Sequence, residues 1–281
     1  MSKIIWISSY PKSGNTWMRF LISNYYFNKD NEFNFQIADN NILMFPQISI
    51  MKKIVNKQSI IQNPFNISKY WLELQKKIHI EGGNVAFFKN HNALVSIDEN
   101  EFTNTDLSLA AIYIVRDPRD VVISYAYYRN MSFDKIISNL CDDKLFYNIN
   151  SNHGFPYVEI LGSWSYHYKS WKNGIPNMPR IIIKYEDLLK DCFGQFNNTI
   201  DFLSKILKHK KDKNKIQFSV DNSQFNLLRQ GEKKFGMQTN EGKNSFFRSG
   251  KAGQWKELLN TSQIKKIESA CRQGMLELNY L

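Results

Sequence analysis

Lys12 stands in the stretch Tyr10-Pro11-Lys12-Ser13-Gly14-Asn15-Thr16-Trp17, where an ammonium, two hydroxyls and a single glycine share one turn. Those residue types suit the capture of an anion. A tight loop leading into a helix aims backbone N–H groups and the positive end of the helix dipole at one point. The spacing departs from the Walker form G-x-x-x-x-G-K-[ST], because there is one glycine and the lysine precedes it. The stretch specifies a phosphate-like group and leaves the nucleotide and the reaction open. A lysine on a solvated loop is the bland alternative; the apolar run before Lys12 and the Ser-Gly-Asn-Thr turn after it favour an anion.

Three further clusters carry chemistry. Lys89 and His91 are one residue apart, so on a strand continuing outward they point to the same side. A histidine near its ordinary pKa of roughly 6.5 can accept a proton at neutral pH, and an adjacent ammonium keeps it neutral and basic. A histidine that merely hydrogen-bonds at a strand end is an equal alternative. Arg116 ends an apolar run, where a lone charge must find an anion or an acid. Asp117 and Asp120 could supply that acid, and Ser124 lies two helical turns further on. In Arg248-Ser249-Gly250-Lys251-Ala252-Gly253-Gln254-Trp255, two glycines among basic residues suit a backbone that approaches a phosphate closely, or a basic surface turn.

Elements must exist to position these residues. Ile4-Ile5-Trp6-Ile7 reads as a strand before the first loop, and a helix is expected from Thr16 to Phe27. Val85–Phe88, Ala110–Val115 and Arg180–Tyr185 read as buried strands. Pro118 suits the start of a helix. Asn28–Asn41 reads as a polar, Asn-rich segment, the residues from there to about Ile80 as short helices and loops capping a pocket, with no strands, and 131–156 as an irregular loop or lid. Helices are expected over Tyr157–Trp171, Phe193–Leu207, Ser219–Gln230 and Ser262–Gly274, with a basic run at 208–215 and a flexible stretch at 231–251. Strands alternating with helices predict a mostly parallel sheet covered on both faces, in one α/β domain spanning residues 1–281. Ligands of such sheets sit at the carboxyl ends of the strands, where Pro11–Trp17, Lys89–His91, the residues from Arg116 and Tyr185 all fall.

Composition narrows the class. Across 281 residues, 42% hydrophobic content supports a large core and argues against disorder. The net charge of +11 favours an anionic partner. Cys141, Cys192 and Cys271 show no metal-ligand or disulfide spacing, so a reduced, cytoplasmic setting is expected. No stretch reaches the roughly 20 apolar residues of a membrane helix, and the N-terminal apolar run is too short for a signal peptide.

Taken together the motifs resemble the cytosolic-type sulfotransferases, which use 3′-phosphoadenosine 5′-phosphosulfate (PAPS). Tyr10–Trp17 resembles that family's 5′-phosphosulfate loop, Arg116–Tyr125 its 3′-phosphate strand–helix element, and Phe247–Lys256 its C-terminal Arg-Lys-Gly-x-x-Gly-x-Trp-Lys signature. Phe88-Lys89-Asn90-His91 matches the Lys-x-His of the catalytic base, and Tyr185-Glu186-Asp187 a Tyr-Glu-Asp. The five occur in the family's order, from residue 4 to about 256. The resemblance implies a nucleoside-triphosphate-hydrolase-like fold of the P-loop type and sulfonate transfer to a hydroxyl or amine of a small molecule or glycan, with no metal and no nucleic acid.

The resemblance also implies roles. Lys12 would contact the bridging oxygen, and Ser13, Gly14, Asn15, Thr16 and Trp17 the 5′-phosphate, with the Trp17 ring on adenine. Arg116, Ser124, Arg248, Ser249 and Gly250 would hold the 3′-phosphate. Tyr185, Ser223 and Phe225 would contact the nucleotide, the last two from a local match to Thr-Ser-Phe. His91 would deprotonate the acceptor and Lys89 assist at the sulfonate. Three departures stand out: Asn15 replaces a threonine, Ser249 replaces a lysine for which Lys251 could compensate, and the dimer motif starting at Lys256 is broken at Asn260, Thr261 and Lys265. Two other classes compete. A nucleotide kinase would need a Walker lysine and an acid for Mg²⁺, and neither is present; a polyanion- or RNA-binding protein would use the net charge alone.

Overall fold

Val, Ile and aromatic residues dominate the strands of the central sheet, which is buried on both faces. In the computed structural model, which describes residues 3–30, 32–78, 85–150, 154–236 and 245–281, the chain begins with β1 (Lys3–Ser9) and α1 (Asn15–Phe27). There follow α2 (Ile37–Asn41), β2 (Leu43–Met44), α3 (Ile48–Ile54), α4 (Lys57–Gln62), a 3₁₀ helix (Pro64–Tyr70) and α5 (Trp71–Lys76). Next come β3 (Val85–Asn90), a small hairpin of β4 (Ser96–Ile97) and β5 (Asn100–Glu101), β6 (Ser108–Val115), α6 (Pro118–Arg129) and α7 (Phe133–Leu140). A second hairpin, β7 (Phe146–Asn150) and β8 (Pro156–Ile160), leads to α8 (Trp164–Asn173), β9 (Arg180–Lys184), α9 (Tyr185–Lys190) and α10 (Cys192–Leu207). The chain closes with α11 (Lys213–Asp221), α12 (Phe225–Phe235), α13 (Trp255–Leu258) and α14 (Thr261–Glu277).

The sheet runs β2-β3-β1-β6-β9 with every neighbour parallel, so the carboxyl ends of β1, β3, β6 and β9 lie along one edge. Register sets the functional residues side by side: Ile7 pairs with Lys89, Ser8 with Asn90, and Val115 with Lys184. One core layer holds Trp6, Phe88, Tyr113 and the α8 aromatics; the other holds Ile5, Ile7 and Ile112 against α1 and α10.

Where the structure departs from the periodicity, local chemistry explains it. Leu43–Met44 is a strand, but only two residues long, too short to show alternation. Residues 131–156 are not an irregular lid. Ser132 caps α7 by accepting from the Lys135 amide, and Ile136, Ile137 and Leu140 form its buried face; β7 and β8 follow. The helix expected over Tyr157–Trp171 is split. Gly162 at φ +64° turns the chain, the Ser163 hydroxyl caps α8, and the residues up to Ile160 belong to β8. Ser219–Gln230 likewise divides between α11 and α12. The last helix runs longer than expected, started by a reciprocal capping box between Asn260 and Gln263. Part of the flexible stretch proposed at 231–251 lies outside the described residues.

Trp6 shows how the sheet is locked. Its Nε1–H donates to the Ser108 hydroxyl at 2.6 Å, and Phe45 and Phe102 each pack with ring centroids 5.2 Å away. Trp6→Ala should lower unfolding free energy by about 3–5 kcal/mol in urea titration. Trp6→Phe, which keeps an apolar ring, should cost less than half as much.

Candidate functional site

The loop after β1 is built around two positions in the left-handed region. Lys12 sits at φ +68°, uncommon for a residue with a side chain, and Gly14 at φ +106°. A Cβ on Gly14 would come within 2.7 Å of the Tyr185 ring, so both backbone and neighbour demand glycine. Asn15 opens α1 and donates through Nδ2 to the Ile7 carbonyl at 2.8 Å, tying the loop back to its own strand. That bridge is a physical use for the amide at a position where threonine was expected. The buried Ser13 hydroxyl has no partner among the described residues, and neither has Asn15 Oδ1. Buried polar atoms are normally satisfied, which makes the unpartnered Ser13 hydroxyl an exception in this loop.

Four cations from four segments converge on this loop. Lys12 Nζ lies 3.7 Å from the Phe246 ring centroid and 4.3 Å from that of Tyr128. Burial, then the charges of Lys89 and Arg116, lower its pKa to about 7, with Arg248 adding to the effect. Lys89 is lowered to about 8, by burial first and then by Arg19, and is partly restored by Glu159. Among the described residues no carboxylate lies within ion-pair distance of Lys12, Lys89, Arg116 or Arg248.

The alternative of a structural ion pair for Arg116 is settled against. Its guanidinium donates to two carbonyls, Lys12 O at 3.2 Å and Lys251 O at 3.0 Å, and stacks 4.4 Å from the Tyr185 ring centroid. Its buried Nε has no partner among the described residues. The nearby acids are engaged elsewhere: Asp117 pairs with Arg119 at 2.7 Å, and Asp120 accepts from the Gly253 and Trp255 amides. Arg248 lies over the Tyr127 ring and donates to Gln254 Oε1 at 2.8 Å.

His91 follows β3 and is buried. Its Nδ1 lies 2.8 Å from the Ser9 carbonyl, which can only accept, so the proton sits on Nδ1 and the lone pair on Nε2. Burial, then Lys89, pushes its pKa well below the ordinary value, so the ring is neutral at pH 7. The His91 backbone is held too. Its carbonyl accepts from His167 Nε2 at 3.0 Å, and the Tyr113 hydroxyl donates to His167 Nδ1 at 2.9 Å. Asn92 accepts the Ile160 amide through Oδ1 at 2.8 Å, fastening β8 beside the histidine. Sequence reasoning missed His167, Tyr113 and Asn92. His167 lies among Trp164, Tyr168 and Trp171 on a helical face that reads as core, and its one signal was being a polar group there.

The remaining expected residues fall as follows. The Tyr185 ring lies between Gly14 and Arg116, and Trp17 packs edge-on to it at 5.9 Å. Thr16 is buried beside the loop, and Ser124 is half-buried on α6. Gly250 takes φ +63°, and a Cβ there would meet the Phe225 ring at 2.6 Å. Ser249 is half-buried, and Lys251 is exposed, its carbonyl held by Arg116. Ser223 stands apart: it is fully buried and its hydroxyl accepts from Asn24 Nδ2 at 3.2 Å. Among the described residues no group of three or more His, Cys, Asp or Glu could hold a metal, and no helix is long and apolar enough to cross a membrane.

Known proteins match this arrangement. A family model described as "Sulfotransferase domain" matches residues 2–279. An amine sulfotransferase of Oryctolagus cuniculus is 27% identical over 173 residues, covering 58% of this chain and 54% of that enzyme. The luciferin sulfotransferase of Photinus pyralis is 25% identical over 208 residues, covering 73% of this chain and 52% of that enzyme. The chain thus spans about half the length of these two relatives. Mouse sulfotransferase SULT7A1, solved as a complex with PAP, superposes with a TM-score of 0.61 at 20% identity, covering 98% of this chain and 85% of that one, which establishes the shared fold.

Burying a lysine whose pKa falls to about 7 penalises the charged form of the folded protein. The penalty is fully present below that folded value and is relieved as pH rises toward the unfolded value of roughly 10.4. The melting temperature of the ligand-free protein should therefore gain a rising component between pH 7 and 10. Lys12→Met should melt higher than the parent at pH 7 and lose part of that slope in thermal scans across pH.

Proposed function

The chain belongs to the sulfotransferase domain family, and on that premise we propose that it transfers a sulfonate group from PAPS to a hydroxyl or amine of a small-molecule or glycan acceptor. The observation that carries this reading is the convergence of Lys12, Lys89, Arg116 and Arg248, without a carboxylate partner among the described residues, on a loop with a free buried hydroxyl. Four desolvated cations need anions, and a nucleotide with a phosphate at one end and a phosphosulfate at the other supplies them. Solved neighbours that hold PAP support the choice of nucleotide. The whole chain, 1–281, is read as one such domain working in a reducing, cytoplasmic setting, consistent with free cysteines at 141, 192 and 271.

PAPS brings an activated sulfonate; the chain's residues do the rest. Gly14, Ser13 and the start of α1 receive the 5′-phosphate, and Arg116 with the turn at Arg248–Gly250 receives the 3′-phosphate. Nε2 of His91 takes the proton of the acceptor as its oxygen or nitrogen bonds to sulfur. Lys12 offsets the charge that grows on the departing phosphate oxygen, and Lys89 faces the sulfonate; such fixed cations act most strongly where water is excluded. Bound anions raise the pKa of both lysines and of His91, so nucleotide binding recharges the lysines and makes His91 a better base. Aromatic rings are dense in the core layer next to His91's end of the sheet, where Phe65 packs on Phe146 at 5.0 Å. Phenols and aryl amines are the first acceptors to try, and the amine and luciferin relatives support that order.

A labelled-sulfonate transfer screen over phenols, alcohols, amines and glycans tests the reading directly; transfer to none of them would overturn it. His91→Ala should lower transfer by about 10²–10⁴-fold while binding the product nucleotide, adenosine 3′,5′-bisphosphate (PAP), as the parent does. PAP binding at pH 8 should take up protons, because Lys12 and Lys89 with free-protein values of about 7 and about 8 are recharged by the anion. Affinity should then fall as pH rises from 7 to 9. Calorimetry in buffers of different ionisation enthalpy reads this, and no uptake would remove both lysines from the nucleotide site.

A further inference from the structure

The two halves proposed for the 3′-phosphate site are 133 to 135 residues apart in the chain, and a buried carboxylate bonds one to the other. Asp120 on the first turn of α6 accepts the Gly253 amide through Oδ2 at 2.6 Å and the Trp255 amide through Oδ1 at 3.2 Å. It is 1% exposed. Two neighbouring contacts continue the seam: Arg116 holds the Lys251 carbonyl, and the Arg119 guanidinium stacks 3.7 Å from the Trp255 ring centroid. Residues 245–254 form no helix or strand of their own, so their backbone geometry depends on what they are bonded to. Both amides held by Asp120 follow Arg248, Ser249 and Gly250 within a few residues.

We infer that Asp120 is a positioning residue for the nucleotide's 3′-phosphate, setting the turn that presents Arg248, Ser249 and Gly250. The inference rests on the nucleotide reading proposed above. Charge makes the arrangement specific. A carboxylate next to a phosphate site would ordinarily repel the ligand, but both oxygens of Asp120 are committed to backbone N–H groups. Arg116 meanwhile is left to carbonyls, with its Nε unpartnered among the described residues. Two charge-assisted bonds to rigid amides fix the turn in two directions, which one bond would not do. Ser249, standing where a lysine is usual in the family, leaves fewer cations on the turn, so placement of Arg248 and the backbone matters more.

Asp120→Asn preserves size but turns one acceptor into a donor that faces an N–H group. The turn must shift, and displacement of about 1 Å in a positioned group can cost about 100-fold. The test compares PAP with adenosine 5′-monophosphate, which lacks the 3′-phosphate, by titration calorimetry on the full chain. The parent should prefer PAP, and Asp120→Asn should weaken PAP by about 10- to 100-fold while changing the monophosphate by less than about twofold. A variant that keeps the parent's preference for PAP overturns the inference alone, as does an equal loss for both nucleotides, which would mean general damage. A parent that binds both nucleotides alike overturns the nucleotide reading and the inference with it. If Asp120→Asn does not fold, amide hydrogen exchange on the parent decides: Gly253 and Trp255 should be protected, and exchange at the solvent rate overturns the inference.

Discussion

Desolvated positive charge is the constraint around which the molecule is arranged. Lys12 and Lys89 are desolvated enough to lose much of their basicity, and Arg116 is bonded to carbonyls while the acids near it are engaged elsewhere. A protein does not keep such groups for stability, because each costs free energy until an anion arrives. The parallel sheet makes the arrangement possible. Its strand ends bring Lys12, Lys89 and Arg116 to one edge although their positions in the chain span more than 100 residues. Aromatic rings of Phe246, Tyr128, Tyr127 and Tyr185 face the cations and offset part of the cost.

Around that charge the neutral residues are held stiffly. Strain at Lys12, in the left-handed region, is maintained by the bridge from Asn15 to Ile7 and by the fit of Gly14 under Tyr185. His91 is fixed twice, through its ring to Ser9 and through its carbonyl to His167. The second tie runs on to Tyr113 on β6, so the histidine and the sheet move as one body. The role of base proposed for His91 fits both constraints, since one selects the tautomer and the other the direction. The proposed reaction is thus one of positioning and electrostatics, and the structure devotes most of its buried polar bonds near the site to those two tasks.

Which parts of this were readable in the chain follows from the range of each interaction. Runs such as Ala110–Val115, and loops such as Tyr10–Trp17, announce themselves because strand, turn and helix N-terminus depend on near neighbours. The fold class follows from those local signals taken in order. Residues 131–171 misled because their cues are short: a serine cap, a glycine turn and two five-residue strands lie in a stretch that reads as irregular up to 156 and as helical from 157. The local match at Ser223 carried no information on its surroundings, and its hydroxyl accepts from Asn24.

The amino-acid sequence by itself determined where the loops after the strands start, which residues are cationic, and that a parallel sheet would gather them at its carboxyl edge. It determined these because each depends on residue type and spacing of two to four positions. Tertiary structure alone decided that Arg116 would donate to carbonyls rather than pair with Asp117 or Asp120, that the His91 ring would carry its proton on Nδ1, and that His167 would hold its carbonyl. Those outcomes depend on groups tens to more than 100 residues apart, and on burial, which sets how strongly each charge is felt.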